Sequence, residues 1–278
     1  MRALQQRRNM FRVLSKRNLA IMLAFAGAAI SAAQNNPLGM PVDITLWGGI
    51  STRDGAGIPR DSKTGLRFAE VAFMPNANWR YWAKYDNSLT LDNFTFLNNG
   101  DTGEAYYLGG QYHAPKQFQV LLEAGIRHLE NDIDQTIIRG EYVMFNPGDT
   151  HLKLGLWVGP REDDKTEWMT YAGYNFPITD RFRAEPTFFY ARSGFNDEEQ
   201  WRILLGGDYN VNDSLKINGG IAFGRQKGFL GSSDFVGGHV LFEMPLTSNN
   251  KAYILIKREH ANDQNLWNFA MGVTISLR

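Results

Sequence analysis

Eleven charged residues of this chain share a pattern: Arg80, Lys84, Glu123, Arg127, Arg139, Glu141, Arg181, Arg183, Glu185, Arg202 and Asp208 sit among alternating apolar positions. Charges of both signs on one face of such segments could line an aqueous passage and select solutes by sign. The densest group, Arg181, Arg183 and Glu185 with Arg202 on the next segment, is expected to form a local positive ring that draws anions. The bland alternative is structural, with opposite charges pairing across neighbouring segments, as Glu123 or Arg127 could with Arg139 or Glu141. Other chemistries find less support. No Gly-x-x-x-x-Gly-Lys-[Ser/Thr] phosphate loop occurs, cysteine is absent, and the five histidines show no metal-ligand spacing, so neither cofactor nor metal is expected. Asp149-Thr150-His151 and Asp132-Ile133-Asp134 are the nearest approaches to a catalytic pairing. The first follows a tight turn and the second reads as a solvated acidic loop.

The elements that must position these charges are strands. From Val42 onward, segments of about ten to thirteen residues alternate with turn signals. They cover 42–52, 64–74, 78–90, 104–113, 117–128, 135–145, 149–158, 166–176, 181–193, 199–209, 214–225, 234–244, 250–260 and 265–277. Each is long enough to cross a hydrocarbon core as a tilted strand, which takes about nine to eleven residues. Strands of soluble proteins run to about five or six. Within the segments the period is two: Phe118, Val120, Leu122, Ala124 and Ile126 oppose Gln119, Glu123 and Arg127. The apolar sets are expected to face lipid, because a charge there at mid-bilayer costs about 2–4 kcal/mol. Only 64–74 is less clean, with Arg67 and Glu70 on opposite parities; a bulge or a rim position would reconcile them.

The connections alternate as well. Tight turns such as Pro75-Asn76-Ala77, Ala114-Pro115-Lys116 and Asn146-Pro147-Gly148 follow the even-numbered segments. Longer polar loops, among them 53–63, 91–103 and 226–233, follow the odd ones. Aromatic residues gather toward segment ends in two groups. Phe73, Trp79, Tyr112, Phe118, Phe145, Phe176, Tyr209 and Tyr253 lie on the turn side, and Trp157, Trp168, Tyr190, Trp201 and Trp267 on the loop side. Two such girdles suit the two interfaces of a bilayer.

Composition agrees. The mean hydropathy of the chain is negative, which rules out a bundle of membrane helices but not a barrel whose two faces average out. Arg2, Arg7, Arg8, Arg12, Lys16 and Arg17 precede an apolar run from Leu19 to Ile30 and the small residues Ser31-Ala32-Ala33. That is the layout of a secretory signal peptide over residues 1–33, with the barrel over 34–278. Removing it takes six of 29 basic residues and none of 29 acidic ones, leaving a net charge of −6. No basic footprint for nucleic acid remains.

The last segment carries a resemblance. Trp267, Phe269, Met271, Val273, Ile275 and Leu277 alternate without exception with Asn268, Ala270, Gly272, Thr274 and Ser276. This resembles the closing strand of Gram-negative outer-membrane β-barrels, although the chain ends on Leu-Arg rather than on an aromatic residue. The resemblance implies a closed antiparallel transmembrane barrel of about fourteen strands, with twelve as the alternative count. It also implies a place in the outer membrane, contact with its lipid and lipopolysaccharide, and delivery by the barrel-assembly machinery. In architecture the chain is similar to monomeric fourteen-stranded porins. A channel for small polar or charged solutes is therefore expected, with the eleven charges above lining it. No loop is long enough to look like a plug, nor made to fold into a neighbouring copy, so a monomer is expected. The alternatives are a barrel for exopolysaccharide export, a surface receptor and a barrel enzyme. Against the enzyme, outer-membrane phospholipases share a His-x-Ser-Asn motif, and none of His113, His128, His151, His239 and His260 has serine two residues on.

Overall fold

The computed structural model describes residues 39–55, 62–87, 104–128, 134–193, 198–228, 231–261 and 263–278. The signal segment, the 91–103 loop and Asp132-Ile133 lie outside them. Fourteen strands follow one another: β1 (Val42–Gly55), β2 (Ser62–Asn76), β3 (Trp79–Asp86), β4 (Glu104–Ala114), β5 (Phe118–His128), β6 (Asp134–Asn146), β7 (Thr150–Pro160), β8 (Thr166–Pro177), β9 (Phe182–Ser193), β10 (Glu198–Asn212), β11 (Leu215–Gly228), β12 (Gly231–Pro245), β13 (Lys251–Ala261) and β14 (Gln264–Leu277). Every strand pairs with its neighbours in sequence, and β14 returns to β1 to close the barrel. That seam is antiparallel and unbroken from Val42 opposite Leu277 to Gly55 opposite Gln264. Closure leaves no edge strand, so all ladder groups are satisfied without disulfides.

The tight turns form as their residues dictate. Asn76 Oδ1 accepts the backbone amides of Asn78 (2.9 Å) and Trp79 (3.1 Å). Thr179 Oγ1 accepts those of Arg181 and Phe182, and Thr247 Oγ1 those of Asn249 and Asn250. Gly148 and Asp149 take the left-handed conformation that the reversal after β6 needs.

Leu108, Leu122, Ile126, Leu154, Leu156, Leu205, Ile221, Phe269 and Met271 are exposed on the outer face. Aromatic rings run across that face at the turn end: Trp79 touches Tyr81 and Tyr112, Tyr112 touches Phe118, and Phe118 stacks on Tyr142. Trp168 with Tyr190, and the exposed Trp201 and Trp267, mark the loop end. Three of the expected girdle members belong to the interior instead. By register Phe145 shares a face with His151, Trp157 with Arg139, and Tyr253 with Glu243. Residues near a strand end have two possible faces, and composition alone does not choose between them.

The closing strand alternates as expected from Leu266 to Gly272, with Trp267, Phe269 and Met271 outward. Further on, Ile275 and Leu277 are buried, packed with Val42, Ile44, Val71 and Phe73 across the β14–β1–β2 seam. The mixed parity of β2 resolves without a bulge at that point. Glu70 turns inward to Arg80, and Arg67 is exposed on the outer face opposite Gly48.

Candidate functional site

The interior face is built in layers, and the deepest layer is glycine. Trp82 lies opposite Gly109, Tyr107 opposite Gly125, Tyr171 opposite Gly155, and Trp47 opposite Gly272. In each pair the ring lies over the glycine. A β-carbon at Gly155 would stand 2.0 Å from Tyr171 Cζ, and one at Gly109 would stand 2.2 Å from the Trp82 ring. Only the residue without a side chain admits the ring there.

Cations form the next layer. Lys84 Nζ stands 4.3 Å from the Tyr107 centroid, the Arg80 guanidinium 5.2 Å from that of Trp82, and the Arg202 guanidinium 3.6 Å from that of Phe235. Each cation then meets an acid. Glu123 accepts from Trp82 Nε1 at 2.7 Å and from Lys84 Nζ at 2.9 Å. Arg80 pairs with Glu70. Glu259 takes Lys257 at 3.0 Å and Arg202 at 3.6 Å. Such pairing lets charged groups stay buried, since an unpaired one would be costly.

Two further networks tie the strands together. Toward the loop end Arg127 donates to Gln135 Oε1 (3.4 Å), Gln135 Nε2 donates to Glu167 (3.0 Å), and Ser193 Oγ donates to the other oxygen of Glu167 (3.0 Å). Toward the turn end Glu185 receives Lys153 and Asn175 Nδ2, while Arg183 bonds Asn175 Oδ1 (2.8 Å) and pairs with Asp149. Asp208 meets Lys216 at 3.2 Å and Asn218 at 3.0 Å, and Asn218 reaches His239 at 3.1 Å. Tyr171 donates its hydroxyl to Glu141, which lies 3.9 Å from Arg139.

Ten of the eleven charges singled out in the sequence therefore occupy the interior face of strands, and each has a partner. Arg181 does not join them: β9 begins at Phe182, and Arg181 is exposed in the turn before it. The expected positive ring also fails to assemble. Arg183 stands opposite Asp208, six residues along β10 from Arg202, which separates the two arginines by about 20 Å. Each answers its own acid, Asp149 or Glu259. Asp149, considered with His151 for catalysis, is committed to Arg183 in the turn, and among the described residues no group of three His, Cys, Asp or Glu is placed to hold a metal.

Sequence reasoning passed over the neutral interior groups. Gln200, Gln226 and Asn268 are buried, and both amide atoms of each lack a hydrogen-bond partner. On the same face Arg202, Phe235, His239, Lys257 and Glu259 enclose a cavity of about 20 Å³, room for one water. The parity of these residues was visible in the sequence. Their lack of partners depends on register and was not.

No family model matches the sequence, and no curated protein is significantly similar to it. Solved structures are similar to it in fold. One described as a bacterial polysaccharide outer membrane secretin has 11% identity over 85% of this chain and 98% of the other, with a TM-score of 0.61. The CymD monoaromatic hydrocarbon channel has 7% identity over 88% and 92%, with a TM-score of 0.57. A FadL homologue of Pseudomonas aeruginosa has 9% identity over 88% and 93%, with a TM-score of 0.52. The closed fourteen-strand antiparallel barrel of this chain is thus the fold of Gram-negative outer-membrane β-barrels.

Proposed function

We infer that the protein is an outer-membrane channel for small polar solutes, exported by removal of residues 1–33 and working as a monomer among outer-membrane lipids. One observation carries this reading: the barrel is apolar outside and polar inside, with the interior charges answered by one another. A soluble barrel would reverse that order. About eight strands already use up the interior with side chains, so fourteen leave space for water. Because the charges are paired, the field along the passage is weak, and selection by sign is expected to be modest. Refolded residues 34–278 in a planar bilayer should give stable conductance steps with small reversal potentials in a salt gradient. A correctly folded barrel that gives no steps would overturn the channel reading.

A further inference from the structure

Among the described residues the interior charges are engaged, and the groups left to meet a solute are neutral. They are not scattered. Trp47 of β1 and Tyr253 of β13 flank Gly272 of β14 and stack with centroids 5.2 Å apart and planes 26° apart. Trp82, Tyr107 and Phe235 carry cations over their faces. Among the described residues none lies over Trp47 or Tyr253, and both are only half-buried. Beside them, on the same face, the hydroxyls of Thr45 and Thr274 meet at 2.9 Å. Four residues from Gly272 along β14, about 13 Å toward the loop end, Asn268 faces Ser51 across the seam and is 2% exposed, part of the wall and closed to a solute.

An aromatic platform with hydroxyls at its edge matches one chemistry well. A sugar ring has an apolar C–H face that packs on an indole and a rim of hydroxyls that both donate and accept. Among the described residues an ion would find no uncommitted counter-charge beside this platform. We propose that the interior patch formed by Trp47, Tyr253, Thr45 and Thr274 binds neutral pyranose rings. This rests on the reading of the interior as a solute path.

The test uses the refolded barrel and maltohexaose as the neutral probe, with tryptophan fluorescence and channel current read in parallel. Wild type should show a saturable fluorescence change and sugar-dependent current block. Trp47→Ala should weaken binding by about tenfold, the scale of one stacked ring. Tyr253→Leu should weaken it several-fold, and Trp168→Phe on the outer girdle should leave it unchanged. If Trp47→Ala does not fold, Tyr253→Leu carries the test. Binding that persists undiminished in these variants overturns the proposal. So does a wild type that ignores the sugar but binds tetramethylammonium or benzoate through Trp47. Fluorescence needs no conductance, so the two readings can fail separately. Saturable, Trp47-dependent binding by a silent barrel supports the site and removes the channel, whereas conductance without binding overturns the site alone.

Discussion

Replacing Glu123 by Gln tests whether the interior wall is a dry, layered structure. Glu123 holds Lys84 at 2.9 Å and Trp82 Nε1 at 2.7 Å, and the Lys84 and Glu123 side chains are 8% and 5% exposed. Gln can still accept from the indole, so the substitution mainly removes the charge that answers Lys84. Breaking a buried pair costs about 3–5 kcal/mol. The Tyr107 face, 4.3 Å from Lys84 Nζ, holds the cation in both forms and does not offset this loss, so about 3–5 kcal/mol is expected. Lys84→Met should cost a similar amount by stranding the carboxylate. The double variant should cost less than the two single ones together, because neither charge is then left alone. Equilibrium urea unfolding in lipid vesicles measures all three. Freed from Glu123, Lys84 should also move reversal potentials toward anions. Single variants within about 0.5 kcal/mol of wild type, the range of solvated pairs, would refute the layered wall and mean that water reaches the pair.

Other consequences follow from the same geometry. Gly155→Val should displace the Tyr171 ring and its bond to Glu141, costing about 2–4 kcal/mol in the same unfolding assay; a neutral result would mean the ring is not seated there. Leu122→Arg, at a residue 64% exposed on the outer face, should cost about 2–4 kcal/mol in vesicles, whereas Ile178→Arg in the β8–β9 turn should cost almost nothing. Arg183→Ala and Arg202→Ala should each shift reversal potentials toward cations by removing a positive charge, leaving Asp149 unanswered and Glu259 with Lys257 alone. Their effects should add in the double variant, because the sites are separate; strong non-additivity would restore the shared ring.

What could be read from the sequence was what depends on one strand at a time. The turn residues Asn76, Gly148 and Thr179, the length of each segment and the parity of Leu122 against Glu123 needed no neighbour to interpret. They sufficed for fourteen strands and for the interior place of Arg80, Glu123 and Arg202. Arg181 falls outside the interior face because β9 begins at Phe182; the expected ring and the place of Tyr253 are matters of register. Arg183 and Arg202 occupy adjacent strands and look close, yet the β9–β10 pairing sets Arg183 against Asp208. Tyr253 sits near a strand end like a girdle ring, yet the β13–β14 pairing sets it opposite Gly272, stacked with Trp47. Register in a closed barrel is fixed by the whole circuit of strands, so no local pattern reveals it.

Glycine placement changes which residues can choose a solute. A ring seated on an interior glycine lies against the wall instead of crossing the lumen, and a cation over that ring is drawn to the wall with it. Lys84 is held in this way between Tyr107 and Glu123, and Arg202 between Phe235 and Glu259. The charges that look most functional in the sequence are therefore fixed in place to make the wall. Among the described residues no cation lies over Trp47 or Tyr253, and on the proposal that these rings meet a sugar, selection would rest on neutral surfaces. A charge-reversal scan of the ten interior residues would then mostly measure stability, and substitutions at Trp47 and Tyr253 would measure binding.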